Sequence, residues 1–146
     1  MPDTAETLSV RTVEAIAQVD RDAWDRCAGD ENPFVCFDFL NALEESGSVS
    51  AKTGWLPQHA VLEDAAGSVL AVAPMYLKNH SFGEYVFDHG WADAYERAGG
   101  RYYPKLQISI PFTPVTGPRL LAPPGPNRET LRRALIGAIA RIAEKI

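Results

Sequence analysis

His80, Glu84 and Asp88 recur at intervals of four, a spacing that on a helix sets an imidazole and two carboxylates along one face. Such a set can serve as a general base with its orienting partners, hold a divalent cation, or close on itself as a hydrogen-bonded structural group. Gly83 and the aromatic run Tyr85-Val86-Phe87 argue against an unbroken helix, so no metal is assigned. The three are read as candidate catalytic residues. Two carboxylates held close together push one pKa upward, which would make that group a base near neutral pH.

A second constellation follows. Tyr102 and Tyr103 are adjacent, so in extended backbone they point to opposite sides, and one of them faces ligand or solvent. Pro104 keeps that backbone extended, and Lys105 comes next, placed for a carboxylate, a phosphate or a plain surface ion pair. Three prolines stiffen the run Pro111-Phe112-Thr113-Pro114-Val115-Thr116-Gly117-Pro118-Arg119, Gly117 permits a turn, and Thr113 and Arg119 offer donors to an anion. A rigid, donor-bearing loop after a strand is a common ligand position in α/β folds. Tyr102, Tyr103, Lys105, Thr113 and Arg119 are therefore the candidate substrate-binding residues. The expectation is one cleft, near the end of the strand that carries Lys105, lined by His80, Glu84, Asp88, Tyr103, Lys105 and Arg119.

The elements that must position these groups are legible in the periodicities. Residues 8–13 read as an opening strand; Asp20 suits the N-cap of a short helix that Gly29 would end. Asn32-Pro33 opens a second helix with Phe34, Phe37, Leu40 and Leu43 near helical spacing, stopped by Gly47. The runs 57–63 and 68–77 are β-rich and joined by the turn Asp64-Ala65-Ala66-Gly67. Phe87, Trp91 and Tyr95 fall four apart, as on a helix that ends at Gly99-Gly100. Residues 105–110 alternate as a strand, and 119–122 extend or restart it. Asn127 caps a final helix with an apolar stripe of Leu131, Leu135, Ala138, Ile139, Ile142 and Ile146. The fold class is α/β with a mostly antiparallel central sheet flanked by helices. Phe87, Trp91, Leu106, Ile108, Leu135 and Ile139 are the expected core.

Composition narrows the function. The chain has 146 residues, 46% of them apolar, enough for one domain with its own core. Cys27 and Cys36 lie too far apart for a redox or zinc knuckle and read as reduced thiols. A polar, acidic start without an apolar core, and no apolar run of membrane-spanning length, make a cytoplasmic protein without membrane insertion the expectation. Residues 1–100 carry 17 acidic and 6 basic side chains, and residues 101–146 carry 2 and 8, within a net charge of −5. That asymmetry either steers an anionic substrate such as a phosphorylated sugar precursor or reflects basic residues coating a solvated helix. No DNA partner is expected of an acidic chain without a nucleic-acid module. P-loop, Rossmann, serine-elbow and zinc motifs are absent.

Longer stretches carry a resemblance. PMYLKNHSFGEYVFDHGWADAYERAG and YYPKLQISIPFTPVTGPRLL resemble the hallmark block of the bacterial FemAB-like N-acyltransferases, and NPFVCFDFLNALEESGSVSAKTGWLPQHAVLED, residues 32–64, resembles their N-terminal region. The resemblance implies a GNAT-like fold and a ligand-binding role for His80, Glu84 and Asp88. It also implies acyl or aminoacyl transfer to an amine in peptidoglycan precursor modification; the alternative is a non-catalytic domain that binds a cell-wall fragment or a protein partner. His89-Gly90 departs from the bulkier, more aromatic pair of the family pattern. By the same comparison residues 1–146 are a first GNAT-like domain, truncated after its third or fourth helix, with the second domain absent from the chain and the segment by itself inactive. The loop that wraps the CoA pyrophosphate in GNAT enzymes corresponds to LLAPPGPNRE, where Pro123, Pro124 and Pro126 have no N–H to give. No cofactor is therefore expected on this segment, and acyl-CoA or aminoacyl-tRNA would serve as donor to the full-length protein. A further expected partner is a second copy, through an exposed apolar face of the final helix.

Overall fold

One antiparallel ribbon, bent once, carries most of the sheet structure in the computed structural model, which describes residues 7–80 and 89–145. Its first limb is β2 (Leu56–Pro57) running into β3 (His59–Glu63); its second is β4 (Val69–Ala73) running into β5 (Met75–Lys78). Asp64 closes the tip, its Oδ1 accepting the N–H groups of Ala66 and Ser68 at 2.9 Å each. Gly67 takes φ 83°, which a side chain would resist. The bend falls at Gln58 and Pro74. Proline has no N–H to give a ladder, so the single run expected over 68–77 becomes two strands.

The bend divides the strands between two sheets, where one central sheet was expected. The first has the order β1-β3-β4, with β1 at Ser9–Val13; the second has the order β2-β5-β6, with β6 at Lys105–Ile108. Every pairing is antiparallel. Among the described residues four α-helices complete this mixed α/β structure: α1 (Arg21–Ala28), α2 (Phe37–Glu45), α3 (His89–Arg97) and α4 (Arg128–Ala143). The Asp20 side chain caps α1 by accepting from Ala23 N–H at 2.9 Å, and Gly29 ends it. The second helix opens later than Asn32-Pro33. Those residues form a single 3-10 turn, and α2 starts at Phe37, whose N–H donates to Asp25 Oδ1 of α1 at 2.9 Å. A cap borrowed from a neighbouring helix leaves no local sequence signature.

Both faces of the first sheet are covered, which is why β3 and β4 read as continuous apolar runs rather than alternating ones. On one face Val61 and Val72, direct cross-strand partners, pack with Val13, Ile16, Trp24 and Leu40. On the other, Ala60, Leu62, Ala71 and Ala73 meet Leu135 and Ile139 of α4. Small alanines let that helix approach closely. Leu135 and Ile139 of the α4 stripe are buried on the chain's own sheet, Leu131 is partly buried beside them, and Ile136 is an exposed large apolar residue of the helix.

The expected core holds for Leu135 and Ile139, while Leu106 and Ile108 are half-buried on β6 and Phe87 lies outside the described residues. Trp91 is the correction. It is 77% exposed and Tyr95 53%, because α3 turns the small Ala92 inward and leaves the Trp91–Tyr95 face outward. Trp91→Ala is accordingly expected to change folding stability by less than about 0.5 kcal/mol, as at ordinary surface positions. A loss above about 2 kcal/mol in urea denaturation would contradict this placement.

Candidate functional site

Among the described residues β6 is the outermost strand of its sheet, and a groove of about 570 Å³ runs along it to the proline-rich loop beyond. Tyr102, Lys105, Thr113 and Arg119 all line it, together with Gln107, Ser109 and Ile108. Tyr103 does not line the groove; its ring meets Tyr102 edge-on at 5.0 Å. Lys105 Nζ stands 5.0 Å from the Tyr102 ring centre and 5.5 Å from that of Tyr103. Tyr95 of α3 joins the chain of rings at 6.1 Å from Tyr102. Aromatic faces beside a cation attract it through the ring quadrupole and fix its direction.

Arg119 is used differently from the expectation that it offers its donors to an anion. Its Nη1 donates to the carbonyls of Gly117 at 3.1 Å and Pro118 at 3.3 Å, and its Nη2 donates to Val115. The guanidinium thus closes its own loop. Partial burial holds its pKa below the usual arginine value, and it contributes positive potential to the groove from a half-buried position. Thr113 Oγ1 accepts from Val115 N–H at 3.3 Å, and Asn32 reaches across to the Thr116 carbonyl at 3.4 Å. The loop's rigidity comes from these staples as well as from its prolines.

His80 stands elsewhere. Its ring lies over Gly54, where a Cβ would come within 2.1 Å of Nε2. Gly54 leads into β2, so His80 is on the β2 flank of β5 and the groove on the β6 flank. Glu84 and Asp88 lie outside the described residues. Among the described residues no three His, Cys, Asp or Glu side chains gather as a metal site.

Between these flanks the structure holds a polar cluster that the sequence did not announce. Lys78 is fully buried, its Nζ 3.5 Å from the centre of the Trp55 ring, and it lines a small cavity of about 120 Å³ with Gly54, Asn79 and Pro104. Lys105 is its direct cross-strand partner. Tyr76 packs edge-on against Trp55 at 5.2 Å; its hydroxyl and Trp55 Nε1 are buried without a hydrogen-bond partner among the described residues. Burial, and secondarily the charge of Glu44, push the Tyr76 phenol far above its usual range. A lysine closing the apolar strand Met75-Tyr76-Leu77 was the available signal. Behind it, His59 Nε2 meets Glu44 Oε2 at 2.7 Å, and His59 Nδ1 accepts the Met75 N–H at 3.2 Å. Because Nδ1 is an acceptor, the ring carries its proton on Nε2 and donates it to the carboxylate. Glu44 Oε1 accepts the Ile16 N–H at 2.9 Å.

Neither cysteine belongs to this region. Cys27 is buried in the main core, and burial pushes its thiol up to about 11; Cys36 is half-buried at the start of α2. No described helix is long and apolar enough to cross a membrane.

A family model described as FemAB-like, peptidoglycan biosynthesis/recognition, matches residues 15–146. No curated protein and no solved structure matches the chain.

Proposed function

Because the chain belongs to the FemAB-like family of peptidoglycan biosynthesis and recognition, we propose that it forms part of a GNAT-type N-acyltransferase that joins an acyl or aminoacyl group to an amine of a cell-wall precursor. The observation that carries the reading is the meeting of Tyr102, Lys105, Thr113 and Arg119 on one groove. Lys105 and Arg119 give it a positive lining for an anionic group of the acceptor, and the tyrosines give a flat apolar wall. In the reaction the amine nitrogen attacks the acyl carbonyl and a C–N bond forms. The nitrogen gives up a proton, and the leaving oxygen or sulfur of the donor departs and takes one. His80, Glu84 or Asp88 is the base for the first proton. The donor site is not assigned to the run ahead of α4, where Pro123, Pro124 and Pro126 have no N–H to give an anion.

The test uses the full-length protein with labelled acyl-CoA and aminoacyl-tRNA as alternative donors. Lys105→Ala is expected to raise KM for the acceptor roughly ten-fold while leaving kcat nearly unchanged, the pattern of lost uniform binding. Among His80→Gln, Glu84→Gln and Asp88→Asn, the variant that removes the base should lower kcat by about 10²–10⁴-fold. Unchanged kinetics in all four variants would sink the assignment. Saturable binding of a cell-wall fragment without turnover of either donor would instead favour a non-catalytic recognition domain; the separation of His80 from the groove speaks for that second reading.

A further inference from the structure

Arg119 also lines a second groove, of about 510 Å³, between the run Pro118-Arg119-Leu120 and one face of α4. Glu129, Arg132, Arg133 and Ile136 supply the helix side, at the i, i+3, i+4, i+7 spacing of a single helical face. Both walls are fixed. Leu121, next along the run, exchanges both backbone hydrogen bonds with Val72, at 2.8 and 2.9 Å. Arg132 Nε donates to the Leu120 carbonyl at 3.0 Å and ties the helix to the run. Three guanidiniums meet here with little to offset them. Arg132 Nη1 donates at 2.9 Å to Glu129 Oε1, which belongs to the one carboxylate on the groove among the described residues. Arg119 gives its donors to backbone carbonyls, which carry no net charge. Arg133 is exposed and has no acidic partner among the described residues.

That surplus of two positive charges selects a dianion. A phosphate monoester carries close to two negative charges at neutral pH where a carboxylate carries one, and a guanidinium fork takes phosphate oxygens in pairs. Arg119 and Arg132 are half-buried and have lost part of their water, so a phosphate returns acceptors to groups that lack them. The remaining lining is apolar, from Pro118, Leu120 and Ile136, the last 44% exposed. The matching ligand therefore carries an apolar chain beside its phosphate. The volume suits one small molecule. A bilayer is a poorer match, because insertion uses a row of large apolar side chains, and among the described residues Ile136 is the exposed one on α4.

We infer that the groove between α4 and residues 118–120 binds a free phosphate monoester with an apolar chain, Arg132 and Arg133 holding the phosphate and Ile136 the chain. The site goes beyond the transfer reaction proposed above and shares Arg119 alone with that groove. The experiment titrates this chain with octyl phosphate below its micelle concentration. Octanoate, octyl glucoside, inorganic phosphate and phosphatidylcholine vesicles containing phosphatidic acid are the comparison probes. Backbone amide NMR shifts and calorimetry are the readouts. Octyl phosphate should bind saturably and shift amides within 118–121 and 129–137. Octanoate, octyl glucoside and inorganic phosphate lack the second charge, any charge and the chain respectively, and each should bind roughly ten-fold more weakly or worse. Arg133→Gln and Ile136→Ser should each weaken octyl phosphate about ten-fold. Both positions are exposed, so circular dichroism should show the fold unchanged. Equal binding of any of the three soluble comparison probes would overturn the inference. So would unaltered affinity in both variants, or shifts confined to other residues. Tighter capture by the vesicles than by octyl phosphate would show a membrane surface as the partner and overturn it too. Acyl transfer is not read out, so its failure and this one remain distinguishable.

Discussion

Trp24→Ala is expected to remove about 3–5 kcal/mol of folding stability, a large part of the 5–15 kcal/mol typical of a domain. Trp24 is fully buried beneath the first sheet, among Val13, Ile16, Leu40, Val61 and Val72. Its loss opens a cavity that α1 and α2 cannot both close upon, since each is pinned elsewhere by its caps. The indole also has a polar role, because its Nε1 donates to the Val35 carbonyl at 2.8 Å and so holds the 3-10 turn that precedes α2. Alanine leaves that buried oxygen without its donor. Trp24→Phe should lie between, restoring most of the volume but not the bond. Urea denaturation measures both, and a loss under 1 kcal/mol for the alanine variant would show that the core is not centred here.

Glu44→Leu is expected to cost a similar amount, about 3–5 kcal/mol, for a different reason. Its two oxygens are the acceptors for Ile16 N–H and for His59 Nε2–H, so the substitution orphans two donors in a dry place. Glu44→Gln keeps one acceptor oxygen and should recover about half of the loss. The double variant Glu44→Leu/His59→Leu removes both polar partners together and is expected to fall well short of additivity. Additive losses in denaturation would show that the pair is not coupled.

What the sequence made legible was whatever is decided within a few residues. Asp20 and Gly29 bound α1, Asp64 and Gly67 make the tip of the ribbon, and the stripe of α4 names its buried face. What escaped it depends on distant partners. The direction in which α3 turns Trp91 is settled by what lies beneath Ala92, and no spacing of aromatic residues can report that. Pro74 was visible, but that the chain changes sheets there, rather than simply ending a strand, follows from how β2 and β3 pair on either side of the bend. In the candidate site, Lys105, Thr113 and Arg119 were readable from the strand and the rigid loop after it. Lys78 was not, since its burial needs Trp55 from a separate run of chain. Asn127 looked like a side-chain cap and makes no such bond; the start of α4 is held instead by Arg128 reaching back to Ala122.

The bend in the ribbon has a consequence for how the domain comes apart. At the break the ladder's next acceptor is an imidazole, His59 Nδ1 standing in for a carbonyl toward Met75, and that imidazole is steadied by a carboxylate on α2. The same carboxylate holds the turn after β1 through Ile16. Four pieces of chain, far apart in sequence, therefore share one polar junction. None of them can leave without stripping a partner from the others, of which Ile16, His59 and Met75 are fully buried. Partial unfolding should thus spare the junction or destroy it whole, making β1, α2, β3 and β5 a single cooperative unit, with α3 free to fray independently at the periphery.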